Sequence, residues 1–481
     1  MQYALRRLIC LTPAASLLAL GGCGLPPPMV AAPLAQAPAQ ADSAMLAGDG
    51  AQFPMERWWQ TWGDPGLDAL MDEAFKASPD MAVAAARVRA ADALALQSGA
   101  ALGPYAGVDA SLGGTKQSEN MGIPPLFVPK GVIDTGKLAV SLGLDLDLWG
   151  KNRAQLAAAR GEAEAARADA AQARLMLASG VALAWGDLAR IQASRRIAAA
   201  TLEADTQIEA LTGLRQRQGL DNQADLSLAT ARRAGAQRAL AALDEAAALV
   251  RYRIAALLGA GPGRAESLPL PAPDLGRAVG VPDALAASLV ARRPDIASAR
   301  LRAEAQTQRV KAARAAFLPD INLAAVAGLQ SLGVDQLLKG GSTFANFGPA
   351  LSLPLFSGGQ LQGQHQSALA GYDEAVARYN GVLIGAFHEV ADALTQKRST
   401  AVQLAQARAG AVAADNAARL TRLRYGKGLA NLLQVLTAED SARSAQQAVA
   451  ELELRAYQSD VMLVKALGGG YAAPAPAGEK P

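Results

Sequence analysis

The chain repeats part of itself at one long, fixed interval, and this feature constrains its architecture most. Segment 293–328 resembles segment 78–113, with matching residues 215 positions apart and no gap. The matching pairs are Pro79/Pro294, Asp80/Asp295, Arg87/Arg302, Pro104/Pro319 and Gly113/Gly328. Solenoid repeats have periods of about 20–50 residues, so this interval is far too long for one. The sequence therefore predicts a duplication in which each half is a large structural unit.

The composition favours closely packed helices over a roomy globular core. Hydrophobic residues make up 51% of the 481 residues, but aromatic residues make up only 4%. Much of the hydrophobic share is alanine, which suits helices that pack closely along their length. The net charge of +3 gives no indication of a nucleic-acid partner.

The N-terminus has the pattern of a secretory signal. Two arginines precede an apolar run that is too short for the ~20 residues of a membrane-spanning helix. The stretch LGGC at 20–23 resembles the bacterial lipobox, which predicts acylation of Cys23. Residues 1–22 are therefore expected to be a signal peptide, and residues 23–57 a lipidated N-terminus and tether.

The chain offers few groups for catalysis or metal binding. Cys10 lies in the predicted signal and Cys23 would carry the lipid, so no thiol remains for other chemistry. His365 and His388 lie on one predicted helix, and we expect both at the helix surface. We therefore predict no enzyme activity, no metal site and no cofactor beyond the covalent lipid.

Each half contains two segments whose hydrophobic pattern has a period of two. In the clearest one, 136–149, apolar residues alternate with small or polar residues that include Ser141, Asp145 and Asp147. We assign these three residues to the water-filled lumen of a barrel. The predicted β-hairpins span about 105–148 and 320–356.

The predicted strands indicate a membrane sheet that one chain cannot close. Their lengths match the ~9–11 residues of a tilted strand that crosses a bilayer. A small soluble sheet covered by helices is the alternative, but the loops at 114–135 and 331–343 resemble exposed loops. A membrane sheet cannot keep open edges, and bacterial barrels begin at about eight strands. Four strands per chain therefore predict closure by oligomerisation.

Each half also contains a long helical hairpin. Residues 151–214 and 360–424 contain no proline, and a helix of about 60 residues is roughly 90–100 Å long. The two helical hairpins are expected at 151–259 and 360–468. The remaining divisions are a first repeat at 58–259, a linker at 260–281, a second repeat at 282–470 and a disordered tail at 471–481. A short amphipathic helix is expected early in each repeat, at 66–77 and 283–291.

The turns of the two helical hairpins share their residues at an offset of 209 positions. Gly219 and Gly428 are equivalent, as are Asn222 and Asn431. Glycine suits the left-handed conformation that ends a helix, and asparagine caps the amides of the helix that returns. The sequence therefore predicts two hairpin tips of the same design.

These features together resemble the TolC-like outer-membrane factors, in particular the lipidated branch that serves resistance–nodulation–division efflux pumps. The resemblance covers about 58–471, with PLFSGGQ at 354–360, LRYGKGLANLLQVL and KALGGGY among its matching pieces, and the lipobox at Cys23 adds to it. It implies an α+β membrane protein: a homotrimer with a transmembrane β-barrel, four strands per chain, continued by a long α-helical barrel. It also implies a lipid-anchored protein of the outer membrane that extends into the periplasm. The implied partners are a periplasmic adaptor and an inner-membrane transporter.

The resemblance implies two kinds of site in the helical hairpins. Family members narrow their aperture with residues that correspond to Leu433, Thr437 and Asp440. Thr437 replaces a common aspartate and Asp440 replaces a common arginine, so Asp440 is either a displaced acidic ring or a solvated helix charge. Adaptor docking is expected at the tips, formed by Arg215, Gly219, Arg424 and Gly428.

The predicted function is a passive exit duct that conducts small molecules from an inner-membrane transporter and its adaptor to the outside. The alternatives within this class are a duct for type I protein secretion or for a metal-ion efflux pump. A lipid-anchored envelope enzyme would need a nucleophile–base pair or a metal cluster. A coiled-coil lipoprotein without a bore would not need the four strands. The transporter selects the cargo, so the sequence of the duct does not name it.

Overall fold

The computed structural model describes residues 29, 34–35, 50–118, 120, 124–273, 277–282 and 292–472. The predicted signal peptide, Cys23 and the helix expected at 283–291 lie outside these residues. The chain divides into two compact units. The sheet unit is formed mainly by Val88–Ala165 and Ala299–Arg378, and the helical unit by Ala35–Arg87, Ala166–Ser298 and Tyr379–Pro481.

After the first helix, the order of the helices and strands is the same in both halves. The first half contains α1 Pro65–Ala77, α2 Pro79–Ala100, β1 Tyr105–Thr115, β2 Ile133–Asp145, α3 Lys151–Arg217 and α4 Gln223–Leu257. The second contains α5 Pro294–Ala315, β3 Asp320–Leu332, β4 Thr343–Ser352, α6 Gln360–Gly426 and α7 Leu432–Ala466. Helices α3 and α6 both have 67 residues, and α4 and α7 both have 35. These equal lengths confirm the predicted duplication. None of the described helices is long and apolar enough to cross a membrane.

The four strands form one antiparallel sheet in the order β1-β2-β3-β4. Strand β2 ends at Asp145, before the expected end at 148, because Asp147 adopts a positive φ of 43° and turns the chain toward α3. Strand β4 ends at Ser352 instead of near 356. Pro354 follows, and a proline has no N–H to donate to a strand ladder.

The cross-strand register divides the sheet into an apolar face and a polar face. Residues directly opposite each other in an antiparallel pair share a face, as Val108 and Val140 do. Asp134, at the loop end of β2, is the only charged residue of the apolar face. The larger residues of that face are Val108, Leu112, Leu138, Val140, Leu142, Leu144, Ile321, Leu323, Leu329, Phe347 and Leu351.

The apolar face of the sheet is exposed in the single chain. The side chain of Leu142 is 50% exposed and that of Phe347 is 83% exposed. The polar face carries Asp109, Lys137, Ser141, Asp145, Asn322, Gln330 and Asn346. An apolar face that is left uncovered is what a lipid-facing sheet requires, since a soluble sheet would bury it against helices.

The core of the helical unit is built on tryptophans near the start of α1. Trp58, Trp59 and Trp62 are buried, and Trp185 of α3 packs in the same cluster. Asp64 is 3% exposed, and its carboxylate accepts hydrogen bonds from the amides of Gly66 and Leu67, 2.8 and 3.3 Å away. It also accepts from Trp185 Nε1 at 2.7 Å. The cap of α1 is therefore tied directly to α3.

The described parts of the segment expected to be a linker, 260–273 and 277–281, pack as a strap on the helical unit. It begins with a 3₁₀ helix, Pro262–Ser267, in which the Arg264 guanidinium binds both oxygens of Glu73 at 2.9 and 3.0 Å. Farther along, the Val279 amide donates to buried Asp460 at 3.3 Å, and Lys397 binds the same carboxylate. Burial raises the pKa of Asp460, although Lys397 and the Val279 amide oppose the rise. The strap is held by side chains that lie far away in the sequence.

The two histidines differ in their surroundings. His388 lies on the exposed surface of α6, as expected. The expectation for His365 is wrong, because this side chain is only 6% exposed and meets Phe317 edge to face, with 6.3 Å between ring centroids. Phe317 lies in the segment between α5 and β3. The helical pattern of α6 alone does not indicate this contact with His365.

Candidate functional site

Two of the three predicted lumen residues lie on the polar face of the sheet. Ser141 and Asp145 point to the same face as Asp109 and Lys137. The Ser141 hydroxyl donates to the Gly107 carbonyl and to the Asp109 carboxylate, both at 3.4 Å. The Lys137 ammonium lies 5.9 Å from the centroid of the Phe344 ring. This face therefore carries both signs of charge together with small side chains.

The third predicted lumen residue, Asp147, lies beyond the end of β2. Its two carboxylate oxygens accept hydrogen bonds from the amides of Asn152 and Arg153 at 2.8 and 3.0 Å. Arg153 Nε also donates to it at 3.1 Å. Burial alone would raise the pKa of Asp147, but these hydrogen bonds and the charge of Arg153 lower it. Asp147 is thus a cap for the first turn of α3, not a lumen residue of the strand.

The alternation of apolar and polar residues continues past the end of β2 at Asp145. For this reason the sequence pattern alone assigns Asp147 to the strand. Leu146 still follows the ladder, since its amide donates to the Ile321 carbonyl at 3.1 Å. A second signal was available in the sequence: an aspartate a few residues before a long helical pattern is a common helix start. Asp145 supports the same corner, because it accepts from the Asp147 amide and from Asn152 Nδ2.

The two hairpin tips have the same backbone geometry. Gly219 and Gly428 have φ values of 73° and 74°. The Leu220 amide donates to the Arg215 carbonyl at 2.9 Å, and the Leu429 amide donates to the Arg424 carbonyl at 2.8 Å. A glycine with positive φ that follows a helix and an amide that reaches back to the last turn form a Schellman-type end. The predicted left-handed glycine is therefore present at both tips.

Each return helix begins with a capping box. The Asn222 side chain accepts from the Asp225 amide, and Asp225 accepts from the Asn222 amide. Asn431 and Gln434 make the same two contacts at the start of α7. The two asparagines are therefore caps, as the sequence predicts.

The first tip holds its arginine in a network that reaches the second hairpin. The Arg215 guanidinium donates to both oxygens of Asp221 at 2.9 and 3.2 Å. It also lies 5.0 Å from the centroid of the Tyr425 ring, and the Tyr425 hydroxyl lies 3.4 Å from Asp221. The hydrogen bond with Asp221 raises the pKa of Arg215. Tyr425 is itself buried in a small cluster with Ile208, Ala229, Leu432, Val435 and Leu436.

The three predicted aperture residues follow one another along the first turns of α7. Leu433 is 66% exposed, and the Thr437 hydroxyl donates to the Leu433 carbonyl at 2.8 Å. Asp440 is bound by both guanidinium nitrogens of Arg232 at 2.8 Å, and Arg443 binds it as well. Asp440 is therefore an ion-paired carboxylate, bound by Arg232 and Arg443. It joins α7 to α4.

Arg232 is a residue that the sequence did not indicate. Its partner Asp440 lies 208 positions away, and Asp205 of α3, with a side chain 5% exposed, lies 3.7 Å from Arg232 Nε. Contacts of this range arise from helix packing and leave no local pattern. Among the described residues, no group of histidine, cysteine, aspartate and glutamate side chains could hold a metal ion.

The chain matches a known family twice along its length. The sequence model of the family described as outer membrane efflux protein matches residues 70–260 and again residues 285–469. The chain belongs to the outer membrane efflux protein family. The two matches fall on the two halves of the duplication, so each half of this outer membrane efflux protein carries the family pattern.

Relatives and solved structures cover most of this outer membrane efflux protein. Multidrug resistance outer membrane protein MdtP of Escherichia coli K12 is 30% identical over 444 residues, 90% of each chain. Pyoverdine export outer membrane protein OpmQ of Pseudomonas putida is 30% identical over 474 residues, 98% of this chain and 99% of its own. The crystal structure of outer membrane protein VceC from Vibrio cholerae is 38% identical, with a TM-score of 0.80, and covers 87% of this chain and 100% of its own.

These relationships confirm the predicted fold and general function. The sheet belongs to a transmembrane β-barrel, and the long helices belong to a helical barrel. The protein is the outer-membrane exit duct of an efflux pump. Family members and solved neighbours are channels, in agreement with the prediction that the chain is not an enzyme.

Proposed function

We propose that three copies of the chain close one barrel and conduct small molecules passively out of the cell. The observation that carries the proposal is the division of the sheet into an apolar and a polar face. The apolar face would contact lipid, and the polar face, with Asp109, Lys137, Ser141 and Asp145, would line a water-filled bore. Such a bore needs no catalytic group, because the transporter supplies the driving force.

Oligomerisation is supported by the edges of the sheet. Within the described residues, β1 and β4 each pair on one side only. Unpaired backbone groups cost several kcal/mol each in hydrocarbon, so these edges must find partners in the membrane. Three copies of a four-stranded sheet would give a twelve-stranded barrel, which exceeds the smallest bacterial barrels of about eight strands.

The remaining partners follow from the efflux function and from the resemblance of the tips. We propose a periplasmic adaptor that docks on the tips around Gly219 and Gly428, and an inner-membrane resistance–nodulation–division transporter behind it. Leu433, Thr437 and Asp440 are proposed to line the periplasmic aperture. The names of MdtP and OpmQ refer to multidrug resistance and pyoverdine export, and they support drugs or siderophores as the cargo class.

The lipid anchor is a separate proposal that rests on the LGGC stretch at 20–23. Mass spectrometry of the mature protein should find diacylglycerol and an acyl chain on Cys23. Cys23→Ser should abolish both while the chain still inserts. An unmodified mature N-terminus in the wild-type protein would contradict the anchor without affecting the duct.

The duct itself is tested by conductance and by drug susceptibility. Purified full-length protein should form trimers by light scattering and should give stepwise conductance in a planar bilayer. Deletion of its gene should raise the susceptibility of the cells to at least one drug, and complementation should reverse this. A protein that remains monomeric, or that gives no conductance even after disruption of the Arg232–Asp440 contact, would overturn the proposal.

A further inference from the structure

The two tips share a backbone but differ in charge. Segment 215–225 contains Arg215, Arg217, Asp221 and Asp225, two cations and two anions, whereas the equivalent segment 424–434 contains only Arg424 and Lys427. The first tip is therefore neutral, and the second carries a net charge of +2. The segments differ in charge at four equivalent positions: Gly426 stands where the first tip has Arg217, Lys427 where it has Gln218, Ala430 where it has Asp221 and Gln434 where it has Asp225.

This difference in sequence changes how the two arginines are held. Arg215 is bound bidentately by Asp221 and stacks on Tyr425, and its side chain is only 26% exposed. Arg424 has the same place in the backbone geometry, but Ala430 offers it no carboxylate. Within the part of the chain that the structure describes, neither Arg424 nor Lys427 has a side-chain hydrogen bond or ion pair.

The acids nearest in sequence to the second tip are already engaged. Glu439 binds Arg422, and Asp440 binds Arg232. Asp221, which reaches the second hairpin through the Tyr425 hydroxyl, is bound by Arg215. Both cations are exposed and precede the exposed Gly428, and an added Cβ at that glycine would meet nothing within 4 Å.

We infer that the second tip, through Arg424 and Lys427, docks a partner segment that presents carboxylates, and that the first tip docks its partner without this charge contact. The inference rests on the proposed docking of an adaptor at the tips and names the chemistry of that partner. Exposed apolar residues are common to both tips, with Leu220 64% and Leu429 66% exposed. The exposed leucine is therefore common to the two tips, and charge distinguishes them. Charges at the rim of an interface act mainly on association rate and partner choice.

The chain supplies matched positions for a direct test. A carbodiimide joins a lysine amine to a carboxylate without a spacer, so it reports only on acids that touch the lysine. Lys427 is the native probe of the second tip, and Gln218→Lys places a lysine at the equivalent position of the first. A photoreactive residue at Leu429, and in a second variant at Leu220, reports on contact regardless of charge.

The expected result in intact cells has three parts. Both photoreactive variants should capture the same periplasmic adaptor, identified by its peptides. Carbodiimide should couple Lys427 to an aspartate or glutamate of that adaptor, and it should couple the lysine of Gln218→Lys far less. Ala430→Asp should lower the yield of the Lys427 product, because the new carboxylate would bind Arg424 as Asp221 binds Arg215 and would reduce the net charge of the tip from +2 to +1.

The contrary results separate this inference from the proposed function. Photocapture at both tips without carbodiimide coupling at Lys427, or with equal coupling at residue 218, would overturn the charge inference and leave adaptor docking intact. Coupling of Lys427 to another copy of this chain would also overturn it, since the cation would then serve assembly. No photocapture at either tip would overturn the docking and, with it, the inference.

Discussion

At the scale of single residues, three aspartates of this chain hold helices in place. Asp147 caps α3, Asp64 caps α1, and Asp440 joins two helices. The sequence predicts Asp147 in the barrel lumen and Asp440 at the aperture, and it does not single out Asp64. The role of an aspartate here depends on which amides or guanidinium groups the fold brings to it.

Loss of the Asp147 cap should destabilise the start of α3. We expect Asp147→Ala to cost about 1 kcal/mol, the usual cost of a lost N-terminal cap. Asp147→Asn should cost less, because asparagine tolerates a positive φ and still accepts hydrogen bonds. Thermal unfolding of the detergent-solubilised protein measures the difference.

The pH dependence of the same variant checks the role of the charge. The pKa of Asp147 is lowered by folding from 3.8, so its contribution is complete above that pH and is lost as the pH falls through the folded-state value. The gap in unfolding temperature between wild type and Asp147→Ala should therefore be constant from pH 7 to pH 5 and shrink below 3.8. A gap that widens in acid would contradict the cap.

The Arg232–Asp440 contact should behave as one unit. Arg232→Ala and Asp440→Ala should each raise conductance through the proposed aperture, and the double variant should resemble either single variant because both remove the same contact. Since the Asp440 side chain is 47% exposed, the coupling energy should stay within the ~0–1 kcal/mol typical of solvent-exposed pairs. Additive effects, or altered cation preference in Asp440→Ala alone, would instead make Asp440 an independent acidic site.

At the scale of elements, the alternation of β2 separates two environments one residue apart. Leu142 lies on the apolar face and Ser141 on the polar face. Leu142→Arg should impair membrane insertion, because an arginine that faces lipid near the midplane costs ~2–4 kcal/mol. Ser141→Arg should insert and change conductance. Protease protection and heat-resistant mobility on gels measure insertion, and the same behaviour in both variants would contradict the assignment of faces.

The elements that could be read from the sequence are those with a local cause. The period of two in β2, the proline-free helices and the glycine–asparagine turns each depend on neighbouring residues, and the structure contains all of them. The cap at Asp147 was missed because the alternation continued beyond the strand. The packed strap within 260–281 and the Arg232 contact were missed because their partners lie far away in sequence. Periodicity carries no information about such contacts.

At the scale of the whole molecule, the two open edges of the sheet must be paired in the membrane, so the barrel requires more than one copy of the chain. Two copies would give the eight strands of the smallest bacterial barrels, and three would give twelve. We expect twelve. Strand β1 of one copy must then pair with β4 of the next. Both strands carry polar-face residues that can be replaced by cysteine: Ser111 in β1, and Asn346, Gly348 and Ala350 in β4.

Cysteine cross-linking in membranes distinguishes these assemblies. Ser111→Cys combined in turn with cysteine at 346, 348 or 350 samples the unknown register between copies, and at least one combination should yield covalent dimers and trimers on oxidation. Lys137→Cys with Gln330→Cys is the matched control, because these partners face each other within one sheet and should link without a change in chain number. The parent chain without added cysteines gives the baseline. Covalent products that stop at the dimer would indicate an eight-stranded barrel. A ladder of products beyond the trimer would indicate an open array. Closure by three copies requires that the largest product is the trimer.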